Sequence, residues 1–294
     1  MSSPSDEERE LVVACIGGYA ADRVQRARGG RVCAVFERSA YVELDGQWIC
    51  IGSENLGRGP LNAIVASPHA IGRTLARLVP EQPVRGTWPR FRVANAVVDC
   101  TRAARWHPGL PALPIDGARL ARGVERMRSA ARMRIPAEGL AFVVTATLGT
   151  GKLGDAGAAT AAALRSWLAG NGDASPPEAL RDVIGLGPGL TPSGDDFLGG
   201  ALVALHAFGQ RDRARVLGDW LLPLPEGATH PVSVAHLAAA AHGEGSEALH
   251  GCLLALAGDL DPGDALGAIA RVGHTSGWDA LAGAVTVASA ILDV

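Results

Sequence analysis

The sequence predicts an α+β protein in which a β-rich N-terminal subdomain, a small sheet or barrel over residues 1–110, precedes a mainly helical subdomain over residues 111–294. Three observations predict this class. Short valine- and isoleucine-rich runs fill the first hundred residues, a proline-rich connector lies at 108–114, and apolar segments of helical length occupy the chain from residue 178. Strands that come first and helices that come last are typical of α+β proteins, not of alternating α/β ones.

The strands of the first subdomain are predicted from apolar runs bounded by turn residues. Asp45-Gly46 separates two of these runs and is a strong hairpin signal. One helix fits residues 69–78. The predicted strands are 11–16, 31–37, 40–44, 48–51, 62–66 and 91–100.

The second subdomain is predicted to begin with a helix over 117–133 and a strand over 140–148. A glycine loop at 149–154 then leads into an alanine-rich helix that ends near residue 168. From there the pattern is helical. The predicted helices are 178–184, 195–209, 211–221, 231–242, 244–257, 262–271 and 278–292.

Composition excludes several classes of protein. The chain has 294 residues, 48% apolar and 19% charged, with a formal net charge of −3 and a single lysine, Lys152, so nucleic acid is not its expected main partner. Five cysteines without a CxxC spacing do not form a disulfide framework or a zinc site. The polar, acidic start MSSPSDEERE and the absence of a long apolar run predict a cytoplasmic protein without a membrane span.

The most distinctive stretch is GLGPGLTPSGDDFLGG at 185–200, a loop rich in glycine and proline that leads into an apolar helix. A similar motif, SGWDALAG, begins at Ser276, so the offset is 276 − 193 = 83 residues. Ser193 is predicted to cap its helix, with Asp196 completing a capping box. Gly200 and Gly283 are unfavourable within a helix, which predicts close packing at both positions.

This repeat predicts two helix N-termini that converge on one site, with Thr191, Ser193, His274, Thr275 and Ser276 around it. Such termini attract anions. Asp195, not needed for the cap, is expected to point into the glycine loop, where it can bind Mg²⁺ or position a nitrogen nucleophile, whereas Asp196 is expected to stabilise the helix. The alternative is two well-capped core helices with no site between them.

Three other segments carry weaker signals. Residues 149–154 fit GxGxxG but lack the acidic strand end of a dinucleotide site, so we expect no bound dinucleotide, although Lys152 can contact an anion. Arg58 and Asn62 lie on a Gly/Pro turn that can face a ligand or simply be solvated. Thr229 is a candidate N-cap. His274 is a candidate general acid, base or oxyanion donor, or a structural histidine.

Taken together, these motifs resemble the family of the AllH subunit of oxamate carbamoyltransferase. The resemblance rests on GLGPGLTPSGDDFLGG and GHTSGWDALAG. It is supported by RGPLN at 58–62, by the segment 229–233 before an alanine-rich helix, and by GEGS at 243–246. It implies a cytosolic subunit that acts with two other proteins. Together they interconvert oxalurate plus phosphate with oxamate plus carbamoyl phosphate during allantoin (purine) breakdown.

The resemblance implies a transferase that needs no covalent nucleophile and no cofactor, although Mg²⁺ is possible, and that binds a small anionic substrate. Donors for the carbonyl oxygen and a cation for the phosphate are the groups this chemistry needs. The candidate catalytic residues are Asp195, His274 and Ser193. The candidate substrate-binding residues are Arg58, Asn62, Lys152, Gly187, Gly189, Thr191, Gly194, Asp196, Thr229, Ser233, Thr275, Ser276, Gly277 and Asp279.

Two functions of other classes remain open from the sequence. One is a non-catalytic assembly subunit, or a small-anion-binding protein, whose loops form an interface. The other, more remote, is an NAD-dependent oxidoreductase that uses the 149–154 loop.

Overall fold

A computed structural model describes residues 9–109, 113, 116–170 and 175–293. The chain divides into two compact units, Met1–His107 and Pro108–Val294. The boundary predicted between residues 110 and 111 lies outside the described residues. The α+β class, with a β-rich unit followed by a mainly helical one, is confirmed.

The first unit is an eight-stranded closed barrel with one additional strand. The order is β5-β4-β3-β2-β6-β7-β8-β1, and β1 pairs again with β5 to close the barrel, while β9 pairs with the end of β1. Two helices, α1 (Gly18–Arg23) and α2 (Pro68–Leu75), belong to this unit. The strands are β1 (Arg9–Gly17), β2 (Gly29–Val35), β3 (Ser39–Leu44), β4 (Gln47–Gly52), β5 (Asn62–Val65), β6 (Pro83–Thr87), β7 (Arg90–Val93), β8 (Ala96–Asp99) and β9 (Ala104–Trp106).

Turn residues decide where these strands end. Asp45 and Gly46 both have positive φ and join β3 to β4, as the hairpin signal predicts. The single strand predicted at 91–100 is wrong, because Ala94, with a φ of 51°, turns the chain and makes β7 and β8 an antiparallel hairpin. The sequence analysis also missed β6 and β9, which are short and largely exposed and therefore carry little apolar pattern.

The second unit is helical and has its own apolar core. Helix α6 packs most extensively against α11, and α5, α3 and α9 surround α11. The helices are α3 (Gly117–Ala131), α4 (Phe142–Thr145), α5 (Gly151–Ala169), α6 (Ser193–Ala207), α7 (Arg211–Leu221), α8 (Pro231–Ala240), α9 (Glu247–Leu256), α10 (Pro262–Ile269) and α11 (Ser276–Leu292).

Two predicted elements of this unit are wrong. Residues 140–148 do not form a strand, since Phe142–Thr145 are the short helix α4 and Ala146 turns left-handed. The dinucleotide fingerprint therefore has a helix where it requires a strand, and its last four positions are the first turn of α5. Residues 178–184 form a single 3₁₀ turn at Glu178–Leu180 followed by irregular turns, because the chain is already bending into the glycine loop.

The close approach of α6 and α11 depends on one glycine in each helix. A Cβ on Gly200 would lie 1.9 Å from the carbonyl oxygen of Ala280, and a Cβ on Gly283 would lie 1.9 Å from that of Phe197. The two contacts are equivalent in the sequence repeat, because Ala280 corresponds to Phe197 at the same 83-residue offset (197 + 83 = 280). The close packing predicted at both glycines is confirmed.

The five cysteines are free thiols, of which Cys50, Cys100 and Cys252 are buried and Cys15 and Cys33 are partly exposed. None of the helices in the described ranges is both long and apolar enough to cross a membrane.

The contact at Gly200 gives the first test. We expect Gly200→Ala to lower the free energy of unfolding by about 1–3 kcal/mol, because the new methyl group overlaps a backbone carbonyl that cannot move aside alone. This loss opposes the gain of about 1 kcal/mol that alanine normally brings to a helix. Denaturant unfolding measures the change.

Gly251→Ala is the matched control. Gly251 lies within α9 and has nothing within 4 Å of the position of an added Cβ, so this variant should be as stable as the wild type or more stable. Equal stability changes for the two variants would show that the glycine contact does not constrain the helix pair.

Candidate functional site

The N-termini of α6 and α11 converge, as the repeat predicts. The hydroxyls of Thr191 and Ser276 lie 2.9 Å apart. The Ser193 hydroxyl interacts with the Asp279 carboxyl, and the Ser276 hydroxyl interacts with the Asp196 carboxyl. Each serine thus interacts with the aspartate of the other motif, and the first turns of the two helices lie side by side.

The predicted capping roles are wrong. Pro192 is the N-cap of α6 and Thr275 that of α11, and neither Ser193 nor Ser276 caps its own helix with its side chain. Because α6 begins directly after Pro192 and α11 directly after Thr275, both serines are the first residue of their helix. There their hydroxyls are available to the partner helix.

Thr229 does not cap α8 either. His230 is the N-cap, and its Nδ1 accepts a hydrogen bond from the Val232 amide at 3.1 Å.

Asp195 is a structural carboxylate in this geometry. It is 1% exposed and accepts hydrogen bonds from the Gly185 amide at 2.9 Å, from the Ser233 hydroxyl at 2.6 Å and from the Thr229 hydroxyl. Three donors from three segments therefore satisfy it, and it joins the glycine loop to the start of α8. It contacts the glycine loop, as expected, through the Gly185 amide, and its catalytic role stays a prediction.

Asp196 interacts with the other motif, through the Ser276 hydroxyl. The residue is partly exposed, yet its Oδ2 is shielded from solvent and has no hydrogen-bond partner in the described chain. Burial raises the pKa of the Asp196 carboxyl well above its usual range, and the negative charges of Asp279 and Asp195 raise it further. Interactions with the hydroxyls of Ser276 and Thr191 oppose this shift.

Asp279 is the buried counterpart of Asp196. Its Oδ1 accepts a hydrogen bond from the Leu140 amide at 2.5 Å, and Ser193 and Thr275 also interact with it. Burial raises the pKa of the Asp279 carboxyl. Its Oδ2 has no partner among the described residues. The sequence analysis missed the Leu140 amide, because it placed this residue in a strand.

The backbone amides of the two first turns are mostly used within the protein. The Gly194 amide donates to Leu186 and the Gly277 amide to Val272, while the amides of Asp195 and Asp196 donate to the carbonyl of Pro192. The expected cradle of free amide donors for an anion is therefore not formed by these groups. Carboxylate and hydroxyl oxygens dominate the site instead.

Four candidate glycines shape the two loops. Added Cβ atoms would lie 1.9 Å from the Val183 carbonyl at Gly194 and 2.2 Å from the Ile269 carbonyl at Gly277. Gly187 has a φ of 123° and packs against Ser193, whereas Gly189, with a φ of 90°, is exposed with open space around it. Three of the four are therefore required by close packing.

Other candidates lie elsewhere. His274 is exposed and its Nε2 is 3.2 Å from Glu138 Oε2, and Lys152 is exposed in the first turn of α5. Arg58 and Asn62 belong to the first unit, where the Asn62 side chain donates to the Gly57 carbonyl at 2.9 Å and stabilises the turn. Their roles in binding or catalysis stay predictions.

The segment that carries this site matches a known protein family. Residues 183–288 match the model of the family described as oxamate carbamoyltransferase subunit AllH. The match includes both serine–glycine motifs, Asp195, Thr229 and Ser233, and it begins after Lys152. No match was found among curated proteins or among solved structures. The resemblance seen in the sequence is thus confirmed over the part of the chain that builds the two converging first turns.

The site is rich in hydrogen-bond acceptors. In the part of the chain that the structure describes, no group of three or more His, Cys, Asp or Glu side chains is arranged to hold a metal ion. The two unpartnered carboxylate oxygens and the hydroxyls of Thr191 and Ser276 instead favour a ligand that donates hydrogen bonds or carries positive charge. A free phosphate would be repelled by both carboxylates.

The three donors to Asp195 predict a large effect of its replacement. Asp195→Asn should lower the free energy of unfolding by about 1–3 kcal/mol, because an amide nitrogen cannot accept the hydrogen bonds that a carboxylate oxygen accepts. Denaturant unfolding tests this. The control is Asp264→Asn, an exposed first-turn carboxylate of α10, which should change stability by no more than about 0.5 kcal/mol. Unchanged stability of Asp195→Asn would contradict its structural role.

Replacing Asp196, unlike replacing Asp195, is expected to stabilise the protein, and the size of the effect should depend on pH. Because its pKa is raised in the folded protein, the unfolded chain ionises first as pH rises above about 4, and the wild type loses stability until the folded pKa is reached. Asparagine does not ionise. In metal-free buffer Asp196→Asn should therefore be more stable than the wild type at pH 8, with a difference that shrinks towards pH 4. A constant difference between the two unfolding curves would rule out the raised pKa.

Proposed function

We propose that this chain is a subunit of a carbamoyltransferase of the oxamate carbamoyltransferase type, acting together with two other proteins. In this proposal the complex interconverts oxalurate plus phosphate with oxamate plus carbamoyl phosphate in purine and allantoin nitrogen breakdown. The observation that carries it is the match to the AllH family over residues 183–288, which falls on the two converging motifs.

The chemistry of the site supports a carbamoyl ligand. A carbamoyl group presents an NH₂ group, which donates hydrogen bonds, beside a carbonyl oxygen, which accepts them. Thr191 and Ser276 supply hydroxyls, which can both donate and accept hydrogen bonds, at the half-buried rim of the site. These groups suit the amide end of the substrate and can hold it in one orientation for attack.

The balance of the reaction defines what the rest of the complex must supply. In the direction of oxalurate formation, the amide nitrogen of oxamate attacks the carbamoyl carbon, the bond from that carbon to the phosphate oxygen breaks, and the nitrogen loses a proton. The leaving phosphate needs positive charge nearby. The charged side chains that act on Asp196 are negative, so we assign the cation to another subunit, to Lys152 or to a bound ion.

The test is reconstitution. The chain is co-expressed with the proteins encoded beside it, and phosphate release from carbamoyl phosphate is measured with and without oxamate. We expect oxamate-dependent release that requires this chain. Ser276→Ala should lower turnover at least tenfold, about 1.4 kcal/mol, without preventing assembly in gel filtration, and Asp264→Asn should leave turnover unchanged.

Two outcomes would contradict the proposal. Full turnover by the other proteins without this chain would leave it a non-catalytic assembly subunit. An assembled complex without oxamate-dependent phosphate release would mean that the substrate differs from that of the family.

A further inference from the structure

The two unpartnered oxygens, Asp196 Oδ2 and Asp279 Oδ2, are the feature that the proposed reaction leaves unexplained. Both are shielded from solvent, and Asp279 as a whole residue is 0% exposed. Buried polar atoms nearly always have a partner, because an unpaired one costs about 1–3 kcal/mol. Two such atoms on equivalent residues of a repeated motif therefore point to something that binds both.

The surroundings define the chemistry of that partner. Asp279 and Asp195 are the charges that act on the Asp196 carboxyl, and both are negative. The other side chains that interact with these two carboxyls carry hydroxyls, and they are Ser193, Ser276, Thr191 and Thr275. Carboxylate and hydroxyl oxygens without thiols or imidazoles are hard ligands, which select Mg²⁺ or Mn²⁺ rather than Zn²⁺ or copper.

We propose that Asp196 and Asp279 together bind one divalent metal ion, Mg²⁺ or Mn²⁺, through their unpartnered oxygens at the convergence of α6 and α11. Two carboxylates are a sufficient protein contribution for Mg²⁺, which usually keeps several waters and completes its shell with substrate phosphate oxygens. Resting on the proposed function, the ion is also the positive charge that the phosphate of carbamoyl phosphate needs beside these carboxylates.

Geometry favours this pair over Asp195, the residue that the sequence pointed to. Both oxygens of Asp195 already accept hydrogen bonds, from Gly185 on Oδ1 and from Thr229 and Ser233 on Oδ2, so neither is unpartnered. Asp196 is only partly buried, which gives the ion a path from solvent. Asp279, anchored by the Leu140 amide, is held still as the second ligand.

The experiment is metal titration of the full chain after treatment with EDTA. Calorimetry with Mg²⁺, and electron paramagnetic resonance with Mn²⁺, should give saturable binding of one ion per chain in the millimolar range or tighter, with a saturable rise in melting temperature. Affinity should increase from pH 5 to pH 8, because the metal competes with protons for the carboxylates.

Variants locate the ion. Asp196→Asn and Asp279→Asn should each weaken binding by at least about tenfold. The side-chain amide that Asp279→Asn introduces keeps an oxygen that can accept the hydrogen bond from the Leu140 amide, so the fold survives. Asp264→Asn, the exposed first-turn carboxylate of α10, should bind as the wild type does. The melting temperatures of metal-free variants show that each is folded.

Three results would overturn the metal site. They are the absence of saturable binding at millimolar metal, wild-type affinity in Asp196→Asn, and binding that does not depend on pH. The first would mean that a shared proton, not a metal, neutralises the pair. Metal binding without transferase activity in the complex would contradict only the proposed function, and activity unaffected by EDTA would contradict only the metal site.

Discussion

The contact between α6 and α11 is the constraint on which the second unit depends. Carbonyl oxygens of Ala280 and Phe197 occupy the space that side chains on Gly200 and Gly283 would need, so the two helix backbones touch. Helices this close bring their first turns together as well. The crossed interactions of Ser193 with Asp279 and of Ser276 with Asp196 follow from that proximity, because neither serine is needed to cap its own helix.

Bringing two helix N-termini together also concentrates negative charge. Both first turns carry aspartates, which each helix dipole stabilises separately. At the convergence the carboxylates come under one another's influence in a buried setting, where Coulomb repulsion is weakly screened. The protein offsets this for Asp195 with three hydrogen-bond donors but leaves an oxygen of Asp196 and of Asp279 without one. Natural sequences retain such destabilising groups where function needs them.

Part of this arrangement could be predicted from the sequence, because it depends on local pattern. The fold class follows from the strand and helix periods, and the repeat with its unfavourable glycines predicts two closely packed helices. The roles of the adjacent aspartates could not be predicted. They depend on Thr229 and Ser233, which lie more than thirty residues away in the chain, and on the Leu140 amide, in a segment whose apolar run reads equally as strand or buried helix.

The repeat is symmetric in its backbone contacts but not in its surroundings, and this difference locates the accessible side of the site. Thr191 corresponds to His274 at the 83-residue offset (191 + 83 = 274), yet Thr191 contacts Ser276 whereas His274 is exposed and lies beside Glu138. Asp196 is partly exposed whereas Asp279 is fully buried. Among the residues that interact at the convergence, Thr191, Asp196 and Ser276 are partly exposed, so a ligand of the proposed site would approach from their side. Asp279, which is buried and accepts a hydrogen bond from the Leu140 amide, would then form the inner side of that site.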